Sequence, residues 1–216
     1  WYNEQDTPAI FRSTEPAWND RNLLELARHV KSGLVFGHIR ASTGTAVQQT
    51  NCHPFRHENW LWMHNGGIRE FDKVKRDLVL EIDPLLFPEI EGSTDTEVFF
   101  HLALTYGLQD DPPTAVSRAV GFIESVGRQH DVEFPIQMTV CTTDGERMWA
   151  FRYSSEGKSR SLFFSTLVSK LREQHPEIEF LRKVDDESRL IVSEPLGNIA
   201  DASSVHRKAS QPRNCG

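Results

Sequence analysis

Residues 37–67 contain three short polar motifs, which read Gly37-His-Ile-Arg-Ala-Ser-Thr-Gly44, Asn51-Cys-His-Pro-Phe55 and His64-Asn-Gly-Gly67. The motifs gather three histidines, an arginine, two asparagines, a cysteine and several glycines. A segment that only packs a core rarely carries so many polar and ionisable side chains. The stretch therefore predicts a binding or catalytic site.

Arg40 follows the apolar run Leu34–Ile39, which predicts a short strand that ends at the arginine. A guanidinium at a strand end can form two parallel hydrogen bonds to a planar anion such as a carboxylate. The small residues at 41–44 would let a ligand approach the backbone. The alternative is that Arg40 is an ordinary surface ion-pair partner.

A second strand-like run, Trp60–His64, leads into Asn65-Gly66-Gly67. A sharp turn there, with backbone N–H groups beside an asparagine amide, would supply the fixed donors that an oxyanion hole requires. Asn-Gly after a strand is also the commonest short hairpin signal, so a plain turn is the alternative. For the histidines of the three motifs, the alternative to a functional role is that each is a half-buried group with satisfied hydrogen bonds.

The segment Gly92-Ser-Thr-Asp-Thr-Glu97 precedes an apolar helical run that extends to about Gly107. Thr94 and Glu97 have the spacing of a capping box, which places Asp95 in the first helical turn. A negative charge is favoured there by the helix dipole alone. The functional alternative is that Asp95 binds the ammonium of an amino acid whose carboxylate Arg40 binds.

In their order, these motifs resemble the class II (N-terminal nucleophile) glutamine amidotransferase domain in its small stand-alone form, from Trp1 to about Leu196. The resemblance implies that Arg40 binds the α-carboxylate of glutamine and Asp95 its α-ammonium. Thr43 and His53 would line the substrate pocket. Asn65 and Gly66 would form the oxyanion hole. The fold implied is the four-layer αββα sandwich of the N-terminal nucleophile hydrolases.

The sequence departs from this family at its start, because the family nucleophile is a cysteine at the mature N-terminus and this chain begins with Trp1-Tyr2. We expect roughly sixty to seventy residues, with the N-terminal strands, to be missing upstream, from the family layout and the usual domain size. At the other end, residues 197–216 are polar and Ser-rich, which predicts a disordered tail after a domain of residues 1–196.

Composition excludes several function classes. The net charge of −7 argues against a nucleic-acid or membrane-surface role, since both favour a basic face. No run approaches the length of a membrane span. Three widely spaced cysteines imply no disulfide framework, so a cytoplasmic location is expected. We expect a small-molecule substrate and no cofactor; the oligomeric state, a homodimer included, and any ammonia-accepting partner are left open.

The remaining periodicity predicts an α+β fold, because strands are followed by helices and then by strands again. Trp1-Tyr2 and residues 9–11 are predicted as a strand and its partner. Helices are predicted from about residue 20 to Gly33, over residues 71–82, from Thr94 and over residues 113–127. Strands are predicted over residues 136–142, 147–153, 162–164 and 190–192, with a hairpin at Asp144-Gly145 and a short helix or loop over residues 167–175.

The function that follows is hydrolysis of the γ-amide of glutamine or a γ-glutamyl compound by a cysteine thiol. The alternative is a domain that binds amino acids without chemistry.

Cys52 with His53 is a poor substitute nucleophile and base, because adjacent residues of an extended segment point to opposite sides. A metal hydrolase built on the local histidines is disfavoured, since their spacing matches no compact zinc pattern and Arg40 would repel a cation.

Overall fold

A computed structural model describes residues 1–3, 5, 7–40, 46–165 and 167–194, with the side chain of Phe180 excluded. Thr43, Cys215 and the predicted tail lie outside these residues. The helices are α1 (Arg21–His29), α2 (Phe71–Leu80), α3 (Asp95–Thr105), α4 (Pro112–Gln129) and α5 (Val168–Gln174). The strands are β1 (Phe55–His57), β2 (Trp60–Ile68), β3 (Ile136–Thr143), β4 (Met148–Ser154), β5 (Phe163–Phe164) and β6 (Ile191–Val192).

The chain divides into two units, Trp1–Arg160 and Ser161–Gly216. The first contains an antiparallel sheet in the order β1-β2-β3-β4. The second contains the antiparallel pair β5-β6, helix α5 and a 3₁₀ segment at Glu179–Lys183. The predicted α+β class is confirmed. Since the described residues contain one four-stranded and one two-stranded sheet, the four-layer sandwich stays a prediction.

The core of the first unit lies between its sheet and helices α2, α3 and α4. These helices contact one another, while α3 also packs on β2 and α4 on β3. Residues 96–104 of α3 are all buried, because this helix is covered on several sides. Trp62 of β2 stacks on Phe100 at 5.5 Å between ring centroids and meets Phe99 edge-on at 5.2 Å. This aromatic contact fixes the even-numbered face of β2 against α3.

The predicted helices are confirmed within a few residues at their ends. Three of the four begin at a capping side chain, because Asp20 accepts from the Leu23 N–H, Thr94 from the Glu97 N–H and Asp111 from the Thr114 N–H; α2 has no side-chain cap. The Asp144-Gly145 hairpin between β3 and β4 is also confirmed. Strand β1 was not predicted, since three residues are too few to show a period.

Three predicted extended elements are wrong. Residues 34–40 belong to no strand, although the Tyr2 N–H donates to the Leu34 carbonyl oxygen at 3.3 Å. Trp1-Tyr2 and residues 9–11 are not strands either, although Trp1 and Ala9 exchange two backbone hydrogen bonds of 2.9 Å. An apolar run becomes a strand only when a neighbouring strand takes up its backbone groups.

Two glycines of α4 offer a test of the packing. A Cβ at Gly121 would meet nothing within 4 Å, whereas a Cβ at Gly127 would lie 2.7 Å from two ring carbons of Pro135. We therefore expect Gly121→Ala to stabilise the protein by up to about 1 kcal/mol through helix propensity. Gly127→Ala should destabilise it by about 1–3 kcal/mol through overpacking. Urea unfolding of both variants measures this, and equal shifts would contradict the described packing of α4.

Candidate functional site

Asp95 joins the start of α3 to the end of β2. Its Oδ2 accepts a hydrogen bond from the Ile68 N–H at 2.7 Å, and its Oδ1 accepts from the Thr96 N–H at 2.8 Å. A Cβ at Gly67 would lie 3.2 Å from Oδ2, so the glycine leaves room for this approach. Each carboxylate oxygen has two lone pairs, which leaves acceptor capacity on both for a further donor. Asp95 is therefore a half-buried carboxylate held in place by backbone groups.

His64 forms a second link between β2 and α3. Its Nδ1 lies 2.9 Å from Thr96 Oγ1 and its Nε2 lies 3.3 Å from the Gln137 carbonyl oxygen. The ring also meets Phe99 edge-on at 5.6 Å. His64 is buried, and burial lowers its pKa, while the charge of Asp95 acts in the opposite direction. His64 is thus a histidine with satisfied hydrogen bonds, as the alternative interpretation expected.

The three histidines of the sequence motifs form a histidine cluster (His38, His53 and His64). The His38 and His53 rings lie 4.0 Å apart between centroids, and the His38 side chain hydrogen-bonds to the His64 backbone. The charge of Arg40 acts on both His38 and His53. Arg40 is therefore near enough to His38 and His53, and Asp95 near enough to His64, for their charges to act on these rings.

Burial keeps the histidine cluster uncharged. It lowers the pKa of His38 to about 4; the hydrogen bond to the His64 backbone opposes this shift, and the charges of the His64 ring and Arg40 add to it. Burial also lowers the pKa of His53 well below its usual value, assisted by the charges of His38, His64 and Arg40. At neutral pH the cluster thus adds no positive charge beside Arg40.

His53 has both ring nitrogens buried without a hydrogen-bond partner among the described residues. Its ring contacts His38 and, edge-on at 5.0 Å, Phe55. A buried polar group in this state costs free energy unless water or a ligand supplies a partner. This is the condition expected of a side chain that lines a binding pocket.

Asn65 and Gly66 do not lie in a turn, so that prediction is wrong. They are inside β2, where Asn65 pairs with Thr139 and Gly66 with Met138. Gly66 has a φ of +153°, and a Cβ there would lie 2.0 Å from the Gln137 carbonyl oxygen. Glycine in this motif therefore permits a close approach within a strand. The Asn65 side-chain oxygen accepts from Arg160 Nη1 at 3.0 Å.

Two side chains that the sequence did not single out for the site, Glu97 and Asn51, connect its loops. The buried Glu97 carboxylate accepts from the N–H groups of Glu91 at 2.9 Å and Gly92 at 2.8 Å, instead of closing the capping box at Thr94. Burial raises the Glu97 pKa, and these two bonds oppose the rise. The fully buried Asn51 accepts from the Ser93 N–H at 2.9 Å. The loop before α3 is thus fastened to the segment that carries His53.

Cys52 is half-buried, and its thiol lies 3.5 Å from the carbonyl oxygens of Ser13 and Gln48. Its neighbour His53 stacks on His38, so the two side chains do not form the substitute nucleophile and base. Within the described ranges, no group of three or more His, Cys, Asp and Glu side chains is arranged to hold a metal ion. In the same part of the chain, no helix has the length and apolar character to cross a bilayer.

Several known proteins are similar to this chain. The family described as "Glutamine amidotransferases class-II" matches residues 1–204. The probable glutamine amidotransferase DUG3 of Saccharomyces cerevisiae is 34% identical over 214 residues, covering 89% of this chain and 60% of that protein. The glutamine–fructose-6-phosphate aminotransferase (isomerizing) of Shouchella clausii is 30% identical over 101 residues, covering 44% of this chain and 16% of that protein. The chain therefore spans less than two thirds of either relative.

A solved structure from Silicibacter pomeroyi, a glutamine aminotransferase class-II domain protein, matches with a TM-score of 0.75 and 31% identity. The match covers 92% of this chain and 77% of that one. Sequence and structure comparisons thus agree with the motifs from which the site was predicted. The chain belongs to the class II glutamine amidotransferases.

Proposed function

We propose that this chain binds the amino-acid head of glutamine, or of a γ-glutamyl compound, and presents its γ-amide for hydrolysis. Family membership supports this proposal. The observation that carries it is the position of Asp95, a half-buried carboxylate bonded to the Ile68 N–H directly after Asn65-Gly66-Gly67. A carboxylate in this position is suited to an ammonium, which supplies three donors.

Arg40 and Asp95 together form an amino-acid clamp in this proposal. Arg40 would bind the α-carboxylate and Asp95 the α-ammonium. An analogue that lacks either charge would lose the interaction at one end of the clamp, which is a source of discrimination. His53 would donate or accept with one of its unpartnered ring nitrogens. Thr43 stays a predicted pocket residue outside the described part of the chain.

The chemistry proposed is acyl transfer through a thioester. A cysteine thiolate attacks the γ-carbonyl carbon, and the carbonyl oxygen becomes an oxyanion near the Asn65 amide and the Gly66 N–H. The carbon–nitrogen bond then breaks and ammonia leaves with a proton. Water hydrolyses the thioester to the γ-carboxylate and restores the thiol. The nucleophile proposed is the N-terminal cysteine of the family, which is not among these 216 residues, and its α-amine would transfer the protons.

The four-layer αββα sandwich belongs to the same proposal. The antiparallel sheet and the helices α2, α3 and α4 packed on it would form two of the four layers. The match to the Silicibacter pomeroyi structure supports this arrangement, since it extends over most of this chain.

Release of ammonia and glutamate from glutamine tests the proposed function. We expect release by the full gene product, and a loss of at least about 30-fold in kcat/KM in Arg40→Ala and Asp95→Asn, because removing one partner of a desolvated charge pair costs about 2–5 kcal/mol. Asp72→Asn is a matched control, since Asp72 is an exposed aspartate in the first turn of α2. Near-normal turnover in either clamp variant would remove the amino-acid clamp, and binding of glutamine without turnover would favour a non-catalytic binding domain.

The uncharged histidine cluster predicts a pH dependence of stability. Between the unfolded pKa of about 6.5 and the folded pKa of His38 of about 4, the unfolded chain binds protons that the folded chain does not. Each lowered histidine pKa therefore makes the free energy of unfolding fall as the pH drops through this window. We expect His53→Gln to reduce the slope, measured by urea unfolding at a series of pH values.

The range from pH 8 to 9 is the internal control for that series. There His53 is neutral in both states, so the difference between the variant and the wild type should be constant. An unchanged slope between pH 4 and 6.5 would show that His53 is not buried in the neutral form.

A further inference from the structure

Arg160 reaches the predicted oxyanion-hole residue from a distant part of the first unit. Its Nη1 donates to Asn65 Oδ1 at 3.0 Å, and its Nε donates to Gln137 Oε1 at 2.8 Å. In the register of the sheet, Asn65 pairs with Thr139 and Gln137 with Gly67. Paired residues share a face, so Asn65 and Gln137 lie on the same face of the sheet, two positions apart.

The segment that carries Arg160 is itself hydrogen-bonded to side chains of this face. Gln137 Nε2 donates to the Lys158 carbonyl oxygen at 3.2 Å, and Arg152 Nε donates to Ser159 Oγ at 3.0 Å. Arg160 is an exposed residue with a long side chain, and a single surface contact would hold it weakly. Two hydrogen bonds from its rigid, planar guanidinium to side chains of adjacent strands fix the orientation of the Arg160 side chain.

The Asn65 amide has an oxygen that accepts and a nitrogen that donates, and the two ends have nearly the same size. A guanidinium has only donors, so it selects the amide orientation with the oxygen towards Arg160. The nitrogen of Asn65 is then turned away from Arg160, with its N–H groups available to an acceptor. Rotation of the amide by a half-turn would place two donors against each other.

We propose that Arg160 is a positioning residue that sets the amide orientation of Asn65, so that Asn65 Nδ2 donates to the oxyanion. This inference rests on the proposed function, in which Asn65 contributes to the oxyanion hole. The charge of Arg160 also polarises the amide and makes its N–H groups better donors. The Arg160 charge also acts on groups that it does not hydrogen-bond, since it contributes to lowering the pKa of the buried His64.

Substitution of Arg160 by Met keeps the apolar stem and removes every donor. We expect kcat for glutamine hydrolysis by the full gene product to fall by about 10- to 100-fold, because one oxyanion-hole donor contributes about 10²–10³ in kcat and a misoriented amide loses part of it. KM should change by less than about threefold, since the amino-acid clamp is untouched. Arg147→Met is the matched control, because Arg147 is an exposed arginine bonded to Asp144 in the β3–β4 hairpin.

A double-mutant cycle separates positioning from a general structural effect. In an Asn65→Ala background, Arg160→Met should lower kcat by no more than about twofold, because the group that it positions is gone. An unchanged kcat in the single variant, or a full additional loss in the double variant, would overturn the proposal. Partial recovery in Arg160→Lys, which keeps one donor group, is expected.

The Asn65 side-chain amide resonance in a ¹⁵N spectrum tests the same proposal without turnover. Arg160→Met should shift this resonance, identified by its loss in Asn65→Ala, while Arg147→Met leaves it in place. An unmoved resonance would overturn the role of Arg160 even if glutamine is hydrolysed. A wild-type protein that releases no ammonia would overturn the proposed function, and the resonance would then decide the amide orientation separately.

Discussion

The hydrogen bond from the Ile68 N–H to the Asp95 carboxylate is the contact on which the rest of the site depends. It joins the last residue of β2 to the first residue of α3, so that a helix N-terminus faces the strand that carries Asn65 and Gly66. A second hydrogen bond between the same elements joins His64, four residues before Ile68 in β2, to Thr96, the residue after Asp95 in α3. Two hydrogen bonds between the same elements fix both the distance and the rotation of α3 relative to β2.

The start of α3 also determines where the loops lie. Glu97 accepts two backbone N–H groups of the loop that precedes the helix, and Asn51 bonds to Ser93 in the same loop. A Cβ at Gly92 would lie 2.5 Å from Asn51 Oδ1 and 2.8 Å from Glu97 Oε2, so this junction admits only a glycine without rearrangement. The segment that carries His53 is therefore positioned by the helix that carries Asp95.

The sequence was informative where the governing interactions are local. The cap at Thr94 predicted where α3 begins, and the Asp144-Gly145 hairpin was recognised from its turn chemistry. The strand over residues 34–39 was predicted wrongly, because a strand depends on partners that no single sequence shows. The Asn65-Gly66 turn was wrong for a related reason: the glycine accommodates the Gln137 carbonyl across the sheet, and that contact is not local.

The same distinction applies to the site. Arg40, His53 and Asp95 were predicted as site residues because their motifs identify them by residue type and order. Arg160 could not be found in this way, since it is 95 positions from Asn65 and has no distinctive neighbours. Glu97 was predicted to close a capping box, but its buried carboxylate accepts from the N–H groups of Glu91 and Gly92, and the spacing of residues at a helix start does not show the path of the loop that precedes it.

A crystal structure of the full gene product with L-glutamate tests the central claim most directly, since glutamate carries the same amino-acid head and is not consumed. The account predicts the α-ammonium nitrogen at about 2.7–3.2 Å from an Asp95 carboxylate oxygen, with the α-carboxylate on Arg40. Glutamate bound with its γ-carboxylate on Arg40, or bound away from Asp95, would contradict it.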